Sequence, residues 1–138
     1  MAHVTARRID HVAVAVKDAD EAVTRFALDL GLIVSADVIS ADGGVRLVYL
    51  AAGDTTLQLV QPMRPGAVAD WLRAYGEGLH HICFDVPDLV GALASLPDED
   101  ASAITMGGRG CPVAFIEARP HGVVIELTET APSGACLR

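Results

Sequence analysis

Apolar and polar residues follow one another in an order that predicts a strand, a helix and three further strands in the first half of the chain. Residues Ile9–Val16 are rich in β-branched side chains, which is typical of a strand. Asp18 can cap a helix with apolar residues at helical spacing, and Gly31 can end it. The three strands predicted after this helix are Ile33–Ile39, Val45–Ala51 and Thr55–Gln61.

The same order returns in the second half. A short helix around Val68–Tyr75 precedes the strand LHHICFDV, and Asp88 opens another helix. Weaker strands follow near Ala103–Met106, Pro112–Glu117 and Val123–Thr128. We therefore predict a single α+β domain over residues 1–138. It consists of two paired βαβββ modules, at about 8–62 and 78–130, with 131–138 as a tail.

Individual residues also repeat between the two halves. A shift of 70 residues places His11 on His81, and a shift of 68 residues places Gln58 on Glu126. Offsets this similar favour one duplicated unit with a small change in length.

The alternation of side chains across a strand gives each histidine defined neighbours. His11 shares one face of its strand with Ala13, whereas the valines lie on the other face and should pack on the helix. His81 shares its face with Cys83, so His81, rather than His80, is the counterpart of His11. We expect His80 either to support the metal ligands from outside the ligand set or to have a structural role.

Gln58 and Glu126 each stand between apolar neighbours in their strands. If the modules pair, two imidazoles, a carboxylate and a carboxamide oxygen form a donor set that suits a divalent metal. A cation would also remove the cost of a glutamate in apolar surroundings. The alternative for each histidine is a hydrogen-bonded core residue, and Glu126 alone could lie on a half-exposed sheet. We expect His3 and His121 to be loop residues.

Composition limits the class of partner. The formal net charge is -8 and no basic stripe is present, which argues against nucleic acid. No apolar stretch approaches the length of a membrane span, and the start lacks the apolar core of a signal peptide. We therefore expect a soluble cytoplasmic protein without nucleic-acid or membrane partners.

Four segments carry a family resemblance, over about Arg8–Glu129: RIDHVAVAV, TLQLVQP, GEGLHHICFDV and GVVIELTE. They resemble the vicinal oxygen chelate superfamily of glyoxalases, bleomycin resistance proteins and dioxygenases, and within it the methylmalonyl-CoA epimerases. The resemblance implies an open, cup-like sheet around one divalent ion. The identity of the ion stays open, since nitrogen and oxygen donors suit cobalt, manganese, nickel, zinc or iron. The resemblance assigns the metal ligands as His11, Gln58, His81 and Glu126.

The resemblance also implies an epimerase that acts through an enolate on an acyl-CoA thioester, with Glu126 as ligand and base. Some family members carry a glutamate where this chain has Leu47, so the second proton-transfer group is unassigned. Asp42 is near in sequence but belongs to a predicted turn. The fold often forms dimers, and we expect a homodimer.

Two other functions stay open. A glyoxalase I-like lyase would use the same metal to isomerise a thiohemiacetal. A non-catalytic protein of this fold would bind an antibiotic without metal, although only 4% of the residues are aromatic and few could stack on it. An extradiol dioxygenase fits less well, because Gln58 would be a surplus ligand. Arg109 and Arg119 could meet an anionic substrate group or simply be solvated.

Overall fold

The computed structural model describes residues 4–130, and the predicted tail at 131–138 lies outside this range. Within it, three α-helices and eight β-strands follow one another in the predicted order. The helices are α1 (Ala19–Leu30), α2 (Ala67–Tyr75) and α3 (Leu89–Ser95). The strands are β1 (Arg8–Ala15), β2 (Ile33–Ile39), β3 (Val45–Ala52), β4 (Thr55–Pro62), β5 (Gly78–Asp85), β6 (Thr105–Met106), β7 (Pro112–Phe115) and β8 (Ile125–Thr128). The α+β class and the βαβββ order of the elements are confirmed.

The first helix begins and ends at the residues that the sequence predicts, and α3 begins at its predicted residue. The Asp18 carboxylate accepts hydrogen bonds from two backbone amides in the first turn of α1, which satisfies donors that have no partner within the helix. Gly31 ends the same helix with a left-handed φ of 71°, a conformation that costs glycine little. Asp88 caps α3 by accepting from the amide of Gly91.

The strands between α3 and the end of β8 are shorter than predicted. The strand expected over Ala103–Met106 covers only Thr105–Met106, because a 3-10 turn occupies Ala101–Ala103. The carboxylate of Asp100 accepts from the amide of Ser102 and thereby favours this turn over an extended backbone. The last two strands likewise begin or end inside their predicted limits.

The chain divides into two compact units, and the two boundaries fall within β1 and within β5. The first unit contains residues 11–80, and the second contains residues 4–10 together with 81–130. The strand order is β2-β3-β4-β1 in the first unit and β5-β8-β7-β6 in the second. Within each unit the first and last strands of the module pair in parallel, and the other neighbours are antiparallel.

Each sheet packs one face on its helix. In the first unit Val14 and Val16 of the predicted valine face lie in an apolar cluster with α1, as expected. In the second unit Ile125 and Leu127 pack against α3 in the same way. The polar residues between these apolar positions are therefore on the opposite faces of the sheets.

A pair of helix-end contacts repeats between the units and supports the duplication. The side-chain oxygen of Gln61 accepts a hydrogen bond from the amide of Ala19, at 2.8 Å. In the second unit Glu129 accepts from the amide of Leu89, also at 2.8 Å. These four residues are related by the same two offsets as the candidate site residues. Sequence reasoning missed this contact, because neither residue stands out in its segment.

The start of the described chain belongs to the second unit. Arg7 donates its backbone amide to the carbonyl of Asp85 and its guanidinium to the Asp85 carboxylate, at 2.8 and 3.0 Å. Val4 packs against the apolar core of this unit. Within residues 4–130, no helix is long and apolar enough to cross a membrane.

Candidate functional site

In the first unit the two predicted ligands lie on neighbouring strands. His11 is on β1 and Gln58 is on β4, and both are buried. The Nε2 atom of Gln58 donates a hydrogen bond to the hydroxyl oxygen of Tyr49, 3.0 Å away. The ring of Tyr49 meets the His11 ring edge-on, with centroids 6.3 Å apart. Tyr49 therefore contacts both polar side chains, which sequence reasoning did not predict.

In the second unit the other two predicted ligands are in direct contact. Nε2 of His81 on β5 lies 3.2 Å from Oε1 of Glu126 on β8. Both side chains are buried, and the ring of Phe115 packs edge-on against His81 with centroids 4.9 Å apart. The prediction that His81 and Glu126 share a face is confirmed.

The strand registers repeat the arrangement. Ala13 pairs with Gln58 between β1 and β4, and Cys83 pairs with Glu126 between β5 and β8. In each unit the histidine therefore lies two residues before the strand residue that pairs with Gln58 or Glu126. This correspondence supports the interpretation that each half of the sequence repeats one half of the candidate site.

The chemistry of the donors fits a divalent metal. Imidazole nitrogen together with carboxylate and amide oxygen suits the later first-row metals and manganese. A glutamate as buried as Glu126, which is 6% exposed, is costly unless a positive charge or hydrogen bonds compensate it. Its neighbour His81 belongs to a residue type that commonly binds metals, and its imidazole is positively charged only when it is protonated.

Cys83 lies beside these groups but is not suited to act as a thiolate. Burial raises the pKa of its thiol, and the nearby carboxylates of Glu126 and Asp10 raise it further. The thiol therefore stays neutral at neutral pH and fills space on the sheet, as predicted.

Comparison with known proteins identifies the family. Residues 10–115 match the model of the Glyoxalase/Bleomycin resistance protein/Dioxygenase superfamily. The chain belongs to this superfamily. The ethylmalonyl-CoA/methylmalonyl-CoA epimerase of Cereibacter sphaeroides is 30% identical, over 88% of this chain and 97% of that protein. The human mitochondrial methylmalonyl-CoA epimerase is 31% identical, over 88% of this chain and 73% of that protein.

A solved structure agrees over nearly the whole chain. It is a Streptomyces coelicolor methylmalonyl-CoA epimerase variant, with one glutamate replaced by leucine, in complex with 2-nitronate-propionyl-CoA. The TM-score is 0.85 at 31% identity, and the match covers 95% of this chain and 99% of that one.

In the present chain, Leu47 lies in apolar surroundings. It packs with Ala13, Tyr49 and Val60 on the face of the first sheet that lies away from α1. Asp42, the nearby carboxylate in sequence, is exposed in the turn before β3, as expected. The amide of Gly44 and the hydroxyl of Ser40 lower the pKa of Asp42 by hydrogen bonding its charged form.

The structure corrects the expectation for Arg109, which is neither solvated nor available for a substrate anion. Arg109 is buried and its guanidinium pairs with the carboxylate of Asp10, which Arg8 also contacts at 3.1 Å. Arg119 is exposed, as expected of a solvated arginine.

The remaining histidines have other surroundings. His80 packs against Trp71 of α2, with ring centroids 4.7 Å apart, in agreement with a structural role. His121 is exposed in a 3-10 turn, as predicted for a loop residue. His3 lies outside the described residues.

Proposed function

We propose that this protein is a divalent-metal-dependent epimerase that acts through an enolate on an acyl-CoA thioester of the methylmalonyl-CoA type. The observation that carries the proposal is the buried His81–Glu126 pair, at the sheet position where the first unit carries His11 and Gln58. Relatives named methylmalonyl-CoA epimerase, at 30–31% identity over 88% of the chain, support the reaction type.

Under this proposal four side chains bind one ion: His11, Gln58, His81 and Glu126. The ion is cobalt, manganese, nickel, zinc or iron. When bound, it supplies a Lewis acid that stabilises negative charge on the thioester oxygen. One carboxylate among four ligands leaves the site with a net positive charge, which favours an anionic substrate group.

Glu126 is the proposed base for the α-hydrogen of the substrate. Its carboxylate can accept a proton, and its Oε1 lies 3.2 Å from Nε2 of His81. Inversion also requires a proton on the opposite face of the same carbon. Because Leu47 is apolar and buried, this second proton comes from water or from another group of the chain.

The proposed partners are this thioester and a second copy of the chain, since the fold often forms dimers. We propose a cytoplasmic location and no nucleic-acid partner. Size-exclusion chromatography with light scattering tests the dimer.

The decisive experiment follows exchange of the α-hydrogen. Cobalt-loaded protein is mixed with one epimer of methylmalonyl-CoA in deuterated water, and NMR and mass spectrometry record deuterium uptake and the epimer ratio. Uptake with inversion, abolished by a chelator, is expected. Uptake without inversion would show that the enolate forms and that no second proton donor acts.

Two further assays separate the alternatives. Turnover of the thiohemiacetal of methylglyoxal and glutathione, without uptake from methylmalonyl-CoA, would indicate a glyoxalase I-like lyase. Absence of both activities and of metal binding would favour a non-catalytic binding protein.

A further inference from the structure

Tyr49 contacts both proposed metal ligands of the first unit, His11 and Gln58. It is 2% exposed, its hydroxyl oxygen accepts a hydrogen bond from Nε2 of Gln58, and its ring meets His11 edge-on. We infer that Tyr49 is a positioning residue that orients the Gln58 amide for metal binding. This inference rests on the proposed function.

The chemistry of an amide explains why orientation matters. Of the two ends of the Gln58 side chain, Oε1 has lone pairs for a cation, whereas Nε2 carries only hydrogens to donate. The two ends are nearly equal in size, so packing alone does not choose between them. The hydrogen bond directs Nε2 to Tyr49 and leaves Oε1 as the end that can bind a metal.

The surroundings make the phenol hard to replace. Tyr49 lies in an apolar cluster with Leu47 and Val60, and Tyr49 pairs with Gln58 between β3 and β4. The aliphatic neighbours offer no acceptor for the amide hydrogens. Loss of the hydroxyl therefore leaves Nε2 of Gln58 without the acceptor that it has in this orientation.

The second unit provides a natural comparison. Phe115 pairs with Glu126 in the sheet as Tyr49 pairs with Gln58, and its ring meets His81 edge-on. The two oxygens of a carboxylate are equivalent, so Glu126 can bind a cation in either orientation. A tyrosine hydroxyl is thus present beside Gln58, whose two side-chain ends differ. Beside Glu126, whose two oxygens are equivalent, the corresponding residue is a phenylalanine without a hydroxyl.

Cobalt(II) binding tests this role without reference to turnover. In Tyr49→Phe, measured by calorimetric titration and visible absorption, affinity should fall about 10–100-fold, as is usual when a partner of a metal ligand is lost. The matched control is Tyr75→Phe on the surface of α2, which should bind cobalt as the unaltered protein does. Circular dichroism and thermal melting verify that each variant is folded.

A second background isolates the orientation effect. Gln58→Glu makes both ends of the side chain equivalent, so adding Tyr49→Phe should then lower affinity by less than about threefold. The inference would be overturned if Tyr49→Phe lowered cobalt affinity equally with and without the Gln58→Glu change. It would also be overturned if Tyr49→Phe alone left the affinity unchanged. Either result would leave the proposed function intact. If the unaltered protein binds no cobalt, both proposals fail.

Discussion

The Nε2 atom of His81 lies 3.2 Å from Oε1 of Glu126, and each residue is only 6% exposed. They come from β5 and β8, which are parallel neighbours in the sheet although 45 residues separate them in sequence. A buried carboxylate beside an imidazole is suited both to hold a cation and to exchange a proton.

Replacing Glu126 by glutamine keeps the volume of the side chain and removes its charge and basicity. Under the proposed function, deuterium uptake into methylmalonyl-CoA should fall by about 10²-fold or more, because general base catalysis is lost. The matched control is Glu129→Gln, since a glutamine at the equivalent Gln61 accepts the same helix-end hydrogen bond. Uptake by Glu126→Gln within twofold of the unaltered protein would rule out Glu126 as the base.

Leu47→Glu introduces the carboxylate that some family members carry at this position. In the absence of metal, the free energy of unfolding should decrease by about 2–4 kcal/mol, because the apolar cluster offers a charge little compensation. With cobalt bound the decrease should be smaller. Urea denaturation with and without cobalt measures both values, and the ratio of inversion to deuterium uptake should rise.

Leu47→Gln is the control for that experiment, because it adds a polar group of similar size without charge. Equal destabilisation of the Leu47→Glu variant with and without cobalt would place Leu47 outside the influence of the metal.

Breaking the Arg109–Asp10 pair should destabilise the second unit. Arg109→Met leaves the buried Asp10 carboxylate without the guanidinium of Arg109, although Arg8 still contacts it, and a loss of about 2–4 kcal/mol is expected in urea denaturation. Adding Asp10→Asn removes the poorly compensated charge, so the double variant should lose less than the sum of the single changes. Additive losses would show that the two side chains are not coupled.

The Asp37–Arg46 pair should make a small contribution that depends on pH. Hydrogen bonding by Arg46 lowers the pKa of Asp37 below its ordinary value of 3.8, so the charged form is favoured in the folded protein. The contribution is therefore present above pH 3.8 and is lost as the pH falls through the lowered pKa.

Arg46→Gln tests this sign. Because the pair is partly exposed, it should reduce the free energy of unfolding by at most about 1 kcal/mol at neutral pH. The difference should shrink as the pH falls below 3.8 and through the lowered pKa of Asp37, because Asp37 becomes protonated there. In an Asp37→Asn background, Arg46→Gln should show no such acid-dependent change; if it does, the effect arises from another partner, such as Asp20.

The positions of the candidate ligands within their own strands could be predicted from the sequence. His11 and Gln58 stand out because each is a polar residue at a buried position of an apolar strand, and the repeat supplies His81 and Glu126 at matching offsets. The helix ends at Asp18 and Gly31 were predictable for a similar reason, since capping depends on residues that are neighbours in the chain.

The partners of the polar groups could not be predicted. Arg109 was expected to be solvated or to meet a substrate anion, yet it pairs with Asp10, which lies 99 positions earlier. Tyr49 was predicted only as part of a strand, although it holds the amide of Gln58.

The order of the elements, the face on which each side chain lies and the duplication of the candidate site all follow from the sequence alone. They depend on the two-residue period of strands, the period of helices and local capping, which act over a few residues. The contacts of His81 with Glu126, Tyr49 with Gln58 and Asp10 with Arg109 required the folded chain. Those partners depend on strand register and on the packing of segments distant in sequence, where a buried polar group must find a hydrogen bond or a counter-charge.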